Sequence, residues 1–148
     1  MKKKLLISLS FLTLVACSEQ DAYHATVLDL VTTDADIKSY HLDPATVTEC
    51  IVELSSKKMP GFAPFEPIRK KAYKGYTKMI ALKTSEKPAE VLAELREHFG
   101  SAEGLADAHM NYSESYLECI STVTNRALDD AEDDNDSEDS TDTEQQAQ

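Results

Sequence analysis

Four histidines, one Gly-Ser segment and a run of carboxylates are the places where this 148-residue chain could do chemistry. His24, His41, His98 and His109 form neither H-E-x-x-H nor another tight ligand pair. A metal site could be drawn from Glu94 and His98 to Asp107 and His109, but solvated or edge-of-core imidazoles are the simpler expectation. In Gly100-Ser101-Ala102-Glu103-Gly104 the Ser directly follows a Gly, whereas a nucleophile elbow reads G-x-S-x-G after a strand. A helix cap explains Ser101 better. Taking Asp133 as position 1 of a calcium loop puts Asn135, Ser137 and Glu144 at ligand positions, but Glu138 stands where the sharp turn needs Gly. No catalytic residue, metal ligand or cofactor is therefore expected.

The clearest chemistry lies at the N-terminus. Lys2, Lys3 and Lys4 precede an apolar run from Leu5 to Ala16. Those twelve residues would rise about 18 Å as a helix, against the roughly 30 Å of a bilayer core. Residues 1–16 thus read as a signal peptide and not as a span. The run ends Leu14-Val15-Ala16-Cys17, which resembles the lipobox of bacterial lipoprotein precursors. The resemblance implies diacylglycerol on the Cys17 thiol, cleavage before Cys17, and usually acylation of the new amino group. Ser18 stands where, in the enterobacterial sorting rule, Asp would retain the protein in the inner membrane. An outer-membrane, periplasm-facing location follows from the resemblance.

Charge limits the partners. The chain has 15 basic and 27 acidic residues; without Lys2–Lys4, 12 basic residues face the same 27 acidic ones, a formal −15. Nucleic acid is excluded as main partner, because phosphate binding needs a surplus of Lys and Arg. With Cys17 lipidated, Cys50 and Cys119 are left in an oxidising compartment. They lack C-x-x-C spacing, so a structural disulfide is expected ahead of a redox or metal pair.

These residues need elements to hold them. The spacing predicts an all-α chain: a small antiparallel bundle of about four helices over 34–128, one inter-helix disulfide, and a disordered acidic tail at 129–148. Residues 17–33 read as the lipidated N-terminus and a tether or weak first helix, since Thr26, Thr32 and Thr33 lower helix propensity. Asp34 and Asp36 can start a short turn. Asp43-Pro44 caps a helix with Val47, Cys50, Ile51 and Leu54 on one face, ending near Lys57-Lys58. A helix from Pro67 puts Ile68, Ala72, Tyr76, Met79 and Ile80 on an apolar arc, with Arg69 breaking the pattern. Ser85 can cap a third helix, carrying Val91, Leu92, Leu95 and Phe99 and stopped by Gly100. Ser101 can cap a fourth with Leu105, Ala108, Tyr112, Tyr116, Cys119, Ile120 and Val123 inward. The tail holds ten acidic residues and no basic one, too little apolar surface to offset ordering entropy.

Two surfaces stand out. The connection 59–67 reads MPGFAPFEP, and Met59, Phe62 and Phe65 are candidates for partner contact, the alternative being a cap on the core. Lys70, Lys71, Lys74 and Lys78 share one arc and form a candidate basic face for headgroups, an anionic partner or the acidic tail. The Tyr73/Tyr76 and Tyr112/Tyr116 pairs suit a core boundary. The reading as a whole is a lipid-anchored envelope lipoprotein acting through contacts with an unknown envelope protein. In plan it resembles the small, helical, disulfide-stapled secretion pilotins. A periplasmic ligand-binding module or enzyme and a purely structural lipoprotein are the alternatives.

Overall fold

The computed structural model describes residues 18–139, with side chains from 18 to 129; residues 1–17, which hold the expected signal peptide and Cys17, and 140–148 lie outside the described residues. Six α-helices form the fold: α1 Ser18–Thr33, α2 Ala35–Ser39, α3 Pro44–Lys58, α4 Pro67–Ile80, α5 Pro88–His98 and α6 Ala102–Asp139. A 3-10 turn, Ala81–Thr84, links α4 to α5. The described residues contain no strand.

The main departure from expectation is α1. The segment read as a tether or weak helix is a full core helix. Tyr23, Val27 and Val31, at i, i+4 and i+8, are completely buried against α3 and α4. The Thr penalty loses to this burial because Thr26 and Thr33 face outward and return their hydroxyls to the carbonyls of Ala22 and Asp29. Tertiary packing outweighs a few tenths of a kcal/mol of propensity.

Contacts fix the helix directions. The Tyr23 hydroxyl lies 2.7 Å from Ser55 Oγ, so the start of α1 meets the end of α3. Ser55 Oγ also donates to the Ile51 carbonyl, which leaves Tyr23 as donor. Tyr23 stacks 5.7 Å from Tyr73 and 5.9 Å from Tyr76, and Glu19 reaches Lys74, so α1 and α4 run parallel. Asn111 donates to the Ser55 carbonyl while Cys119 joins Cys50, so α6 is antiparallel to α3. The beginnings of α1, α4 and α6 and the end of α3 therefore gather at one end, under the 59–66 connection.

The caps follow the sequence. Asp43 Oδ2 accepts from the Thr46 N–H, and Ser101 Oγ from the Gly104 N–H. Ser85 does not cap α5; its Oγ accepts from the N–H of Lys87, the residue just before the helix. Asp34 caps α2 by accepting from Asp36 and Ile37, and also accepts from the Tyr116 hydroxyl at 2.8 Å, tying α2 to α6. Burial pushes the Asp34 carboxyl up, but the Tyr116 hydroxyl and the two backbone N–H groups outweigh it and hold its pKa below the ordinary value. A depressed folded-state pKa contributes stability above the unfolded value of about 3.9, lost as pH falls through the folded value. The stability difference between wild type and Asp34→Asn should hold steady from neutral pH to about pH 5 and shrink below about pH 4. Urea unfolding across that range measures it.

Past the expected boundary at 128, α6 continues to Asp139. Counting from the Cys50–Cys119 level, α6 passes the start of α3 near Asn125, then runs on for about 20 Å. Alternating Asp and Glu do not stop a helix already nucleated by a packed segment upstream.

Candidate functional site

The 59–66 connection is built to hold its shape. Met59 is the C-cap of α3 and is buried, contrary to its expected role as a contact residue. It still lies within the last layer of the bundle and turns inward to fill it. Gly61 has φ +91°, and a Cβ there would approach Arg69 and Glu66 to 3.0 Å, so the turn requires glycine. The Phe62 N–H donates to the Glu66 carboxylate at 2.7 Å, and Glu66 N–H to the Ala63 carbonyl at 3.0 Å. Arg69, which broke the apolar arc, donates from Nη1 to the Ser56 carbonyl at the C-terminal end of α3 and lies over the Tyr73 ring. A cation there complements the helix dipole and ties α4 to α3.

On this fastened frame Phe62 is 98% exposed, Phe65 67% and Ile68 61%. Ile68 was expected in the core. It sits in the first turn of α4, ahead of the first described residue of α1, and no described residue buries it. The three side chains form an apolar tip at the end of the bundle.

The Lys arc is less open than its sequence pattern. Lys74 pairs with Glu19 of α1 at 3.7 Å, and Lys78 with Glu94 of α5. Because α4 lies between α1 and α5, its polar arc is narrow and carboxylates of both neighbours reach it. Lys71 is exposed and Lys70 half-buried, and neither forms a salt bridge among the described residues.

Beside the tip lies an open pocket of about 490 Å³, lined by Pro60, Ile68, Tyr76, His98, Phe99 and Asn111 among others. Its deeper polar groups bond to one another and to the backbone. Asn111 donates to the Ser55 carbonyl and to Tyr76 Oη, and His98 Nε2 sits 2.8 Å from the Lys71 carbonyl. A Cβ on Gly75 would come within 2.7 Å of the His98 and Phe99 rings, so α5 packs there because α4 has no side chain. His98 is thus a packing residue, and the pocket's remaining polar lining is Lys58, Lys71 and Asp107, of which Lys58 pairs with Glu114. His109 lies apart from it. Among the described residues no three His, Cys, Asp or Glu side chains are placed to share a metal ion.

A second apolar surface was missed from sequence. Met110 and Leu117 are exposed on α6, and an apolar groove of about 750 Å³ runs between α5 and α6 past Leu82, Leu92, Leu105 and Met110. The signal was present: Met110 and Leu117 are one heptad apart and off the inward stripe of α6, a second stripe on the wrong face.

Cys50 and Cys119 are joined, with Cα atoms 5.7 Å apart, as their parity and stripe positions implied. Among the described residues no helix is long and apolar enough to cross a membrane. Comparison with protein-family models, with curated proteins and with solved structures finds no match.

Proposed function

We propose that this chain is a lipid-anchored envelope protein that works by protein contact and not by catalysis. Its signal peptide is removed, Cys17 carries the lipid, and the domain faces the periplasm from the outer membrane. The observation that carries this reading is the distribution of apolar side chains. A domain with a closed core and a covalent bridge still leaves Phe62, Phe65, Ile68, Met110 and Leu117 in water. Exposed anchors of that size mark contact surfaces. The α5–α6 groove has the apolar lining that an amphipathic helix of a partner requires. The Cys50–Cys119 bridge supports export, because such bonds persist in oxidising compartments. Size, helicity and the bridge suit a pilotin-like plan by analogy.

Two measurements test this reading. Cys17→Ala should abolish palmitate incorporation and leave an unprocessed precursor; equal labelling of variant and wild type would remove the anchor. A photo-crosslinking residue in place of Met110 or Leu117 should give a discrete protein adduct in intact cells. A clean absence of adducts at both positions would favour the purely structural lipoprotein.

A further inference from the structure

Ser18, the first described residue and the one directly after Cys17, already belongs to α1. No slack separates the anchor from the bundle. Glu19 lies beside Lys74, and Gln20 shares a pocket with Ser56, Lys57 and Arg69. The start of α1 is therefore at the end of the bundle where α3 finishes and α4 begins. That is the end crowned by Phe62, Phe65 and Ile68. Since α1 and α4 are parallel and Glu19 is level with the Lys70–Lys74 turn, the 59–66 connection reaches beyond the start of α1 by about a helical turn, roughly 5 Å.

We propose that this apolar tip enters the interfacial layer of the same bilayer that holds the N-terminal anchor, so that the domain stands end-on upon two supports. The proposal rests on the reading of Cys17 as lipidated. It assigns the tip to lipid and leaves the α5–α6 groove for protein.

Three observations converge on lipid as the occupant. The chain that precedes the described residues ends at Cys17, and a lipidated Cys17 holds that end of the chain at a membrane surface. A rigid bundle with its first helical residue at the bilayer must present the rest of that end to the same surface, and the foremost side chains there are two Phe. An apolar face buried about 5–10 Å into the headgroup boundary is the mode of interfacial proteins. The Phe62–Glu66 bond and the turn at Gly61 fix the tip beforehand, so little ordering entropy is lost on insertion. Two lysines without a salt bridge among the described residues also lie at this end. Lys70 and Lys71 follow Ile68 at the tip, while α6 carries the acidic run 129–139 away from that end.

The chain contains no Trp, so a single introduced Trp reports alone. The mature chain with Phe62→Trp or Phe65→Trp, isolated from the envelope, would be reconstituted into phosphatidylethanolamine–phosphatidylglycerol vesicles with brominated acyl chains. Tyr40→Trp, exposed at the opposite end after α2, is the control. The expected result is blue-shifted emission and loss of intensity at positions 62 and 65, with neither at 40. A chain that floats with the vesicles while both tip reporters stay water-exposed overturns the insertion and leaves the anchor standing. A chain without acyl groups that fails to float removes the anchor and the insertion together. Shielding of position 62 in native envelopes but not in protein-free vesicles assigns the tip to a protein and overturns the proposal.

Discussion

Replacing Tyr23 by Ala should lower stability by about 3–5 kcal/mol, the range for truncating a large buried aromatic. The side chain is wholly buried in α1, between the rings of Tyr73 and Tyr76, and its hydroxyl meets Ser55. Truncation opens a cavity at the junction of α1, α3 and α4, where each wall is a helix bound by other contacts and cannot collapse. At several degrees per kcal/mol, the thermal midpoint should fall by more than about 10 °C. Tyr23→Phe should cost only about 1 kcal/mol, since it removes one hydrogen bond and Ser55 keeps the Ile51 carbonyl. Tyr40→Ala, at an exposed position, should leave the midpoint nearly unchanged. Thermal unfolding of the three variants decides whether α1 is structural. An unchanged midpoint for Tyr23→Ala would return residues 18–33 to the status of a tether.

Removing the bridge by Cys50→Ala and Cys119→Ala together should cost about 4 kcal/mol in the chain-entropy description, because the partners are 69 residues apart. The double variant avoids a lone thiol that could pair with another molecule. The pair joins the middle of α3 to α6, which also meet through Asn111 and through Lys58 and Glu114. Those contacts are retained, so the native helix content should survive while the unfolded chain gains freedom. Circular dichroism at low temperature should match wild type, and the urea midpoint should drop. An unaltered midpoint would mean that the reduced chain keeps α3 and α6 together when unfolded.

Much of the fold was legible because its signals are local. The bounds of α3 and α4 follow from Pro44 and Pro67 behind their caps and from the ends of their apolar stripes. The bridge followed from parity and stripe position. What was missed depends on where elements stop relative to one another. Ile68 has the spacing of a core residue, but it lies in the first turn of α4, ahead of the described part of α1, and is exposed. Met59 sits in a segment rich in Pro and Gly, yet it remains level with the last core layer. Residues 18–33 have weak intrinsic preference for helix, and it is packing against α3 and α4 that makes them one. The apolar tip was legible as a sequence of types, MPGFAPFEP, but the fate of its three large side chains was decided by a few ångströms along the bundle axis.

The bridge also sets how the molecule would bear tension. A pull between the start of α1 and the tip of α6 passes along α1, α2 and the first part of α3, crosses the Cys50–Cys119 bond, and leaves along α6. Everything from residue 51 to 118 hangs off that line as a closed loop. Its contour length, about 230 Å if extended, cannot be drawn out while the bond is intact. Helices α4 and α5, the apolar tip and the start of the groove are therefore shielded from mechanical load. Force could peel α1 from its neighbours, but it could not extend the apolar tip or the groove.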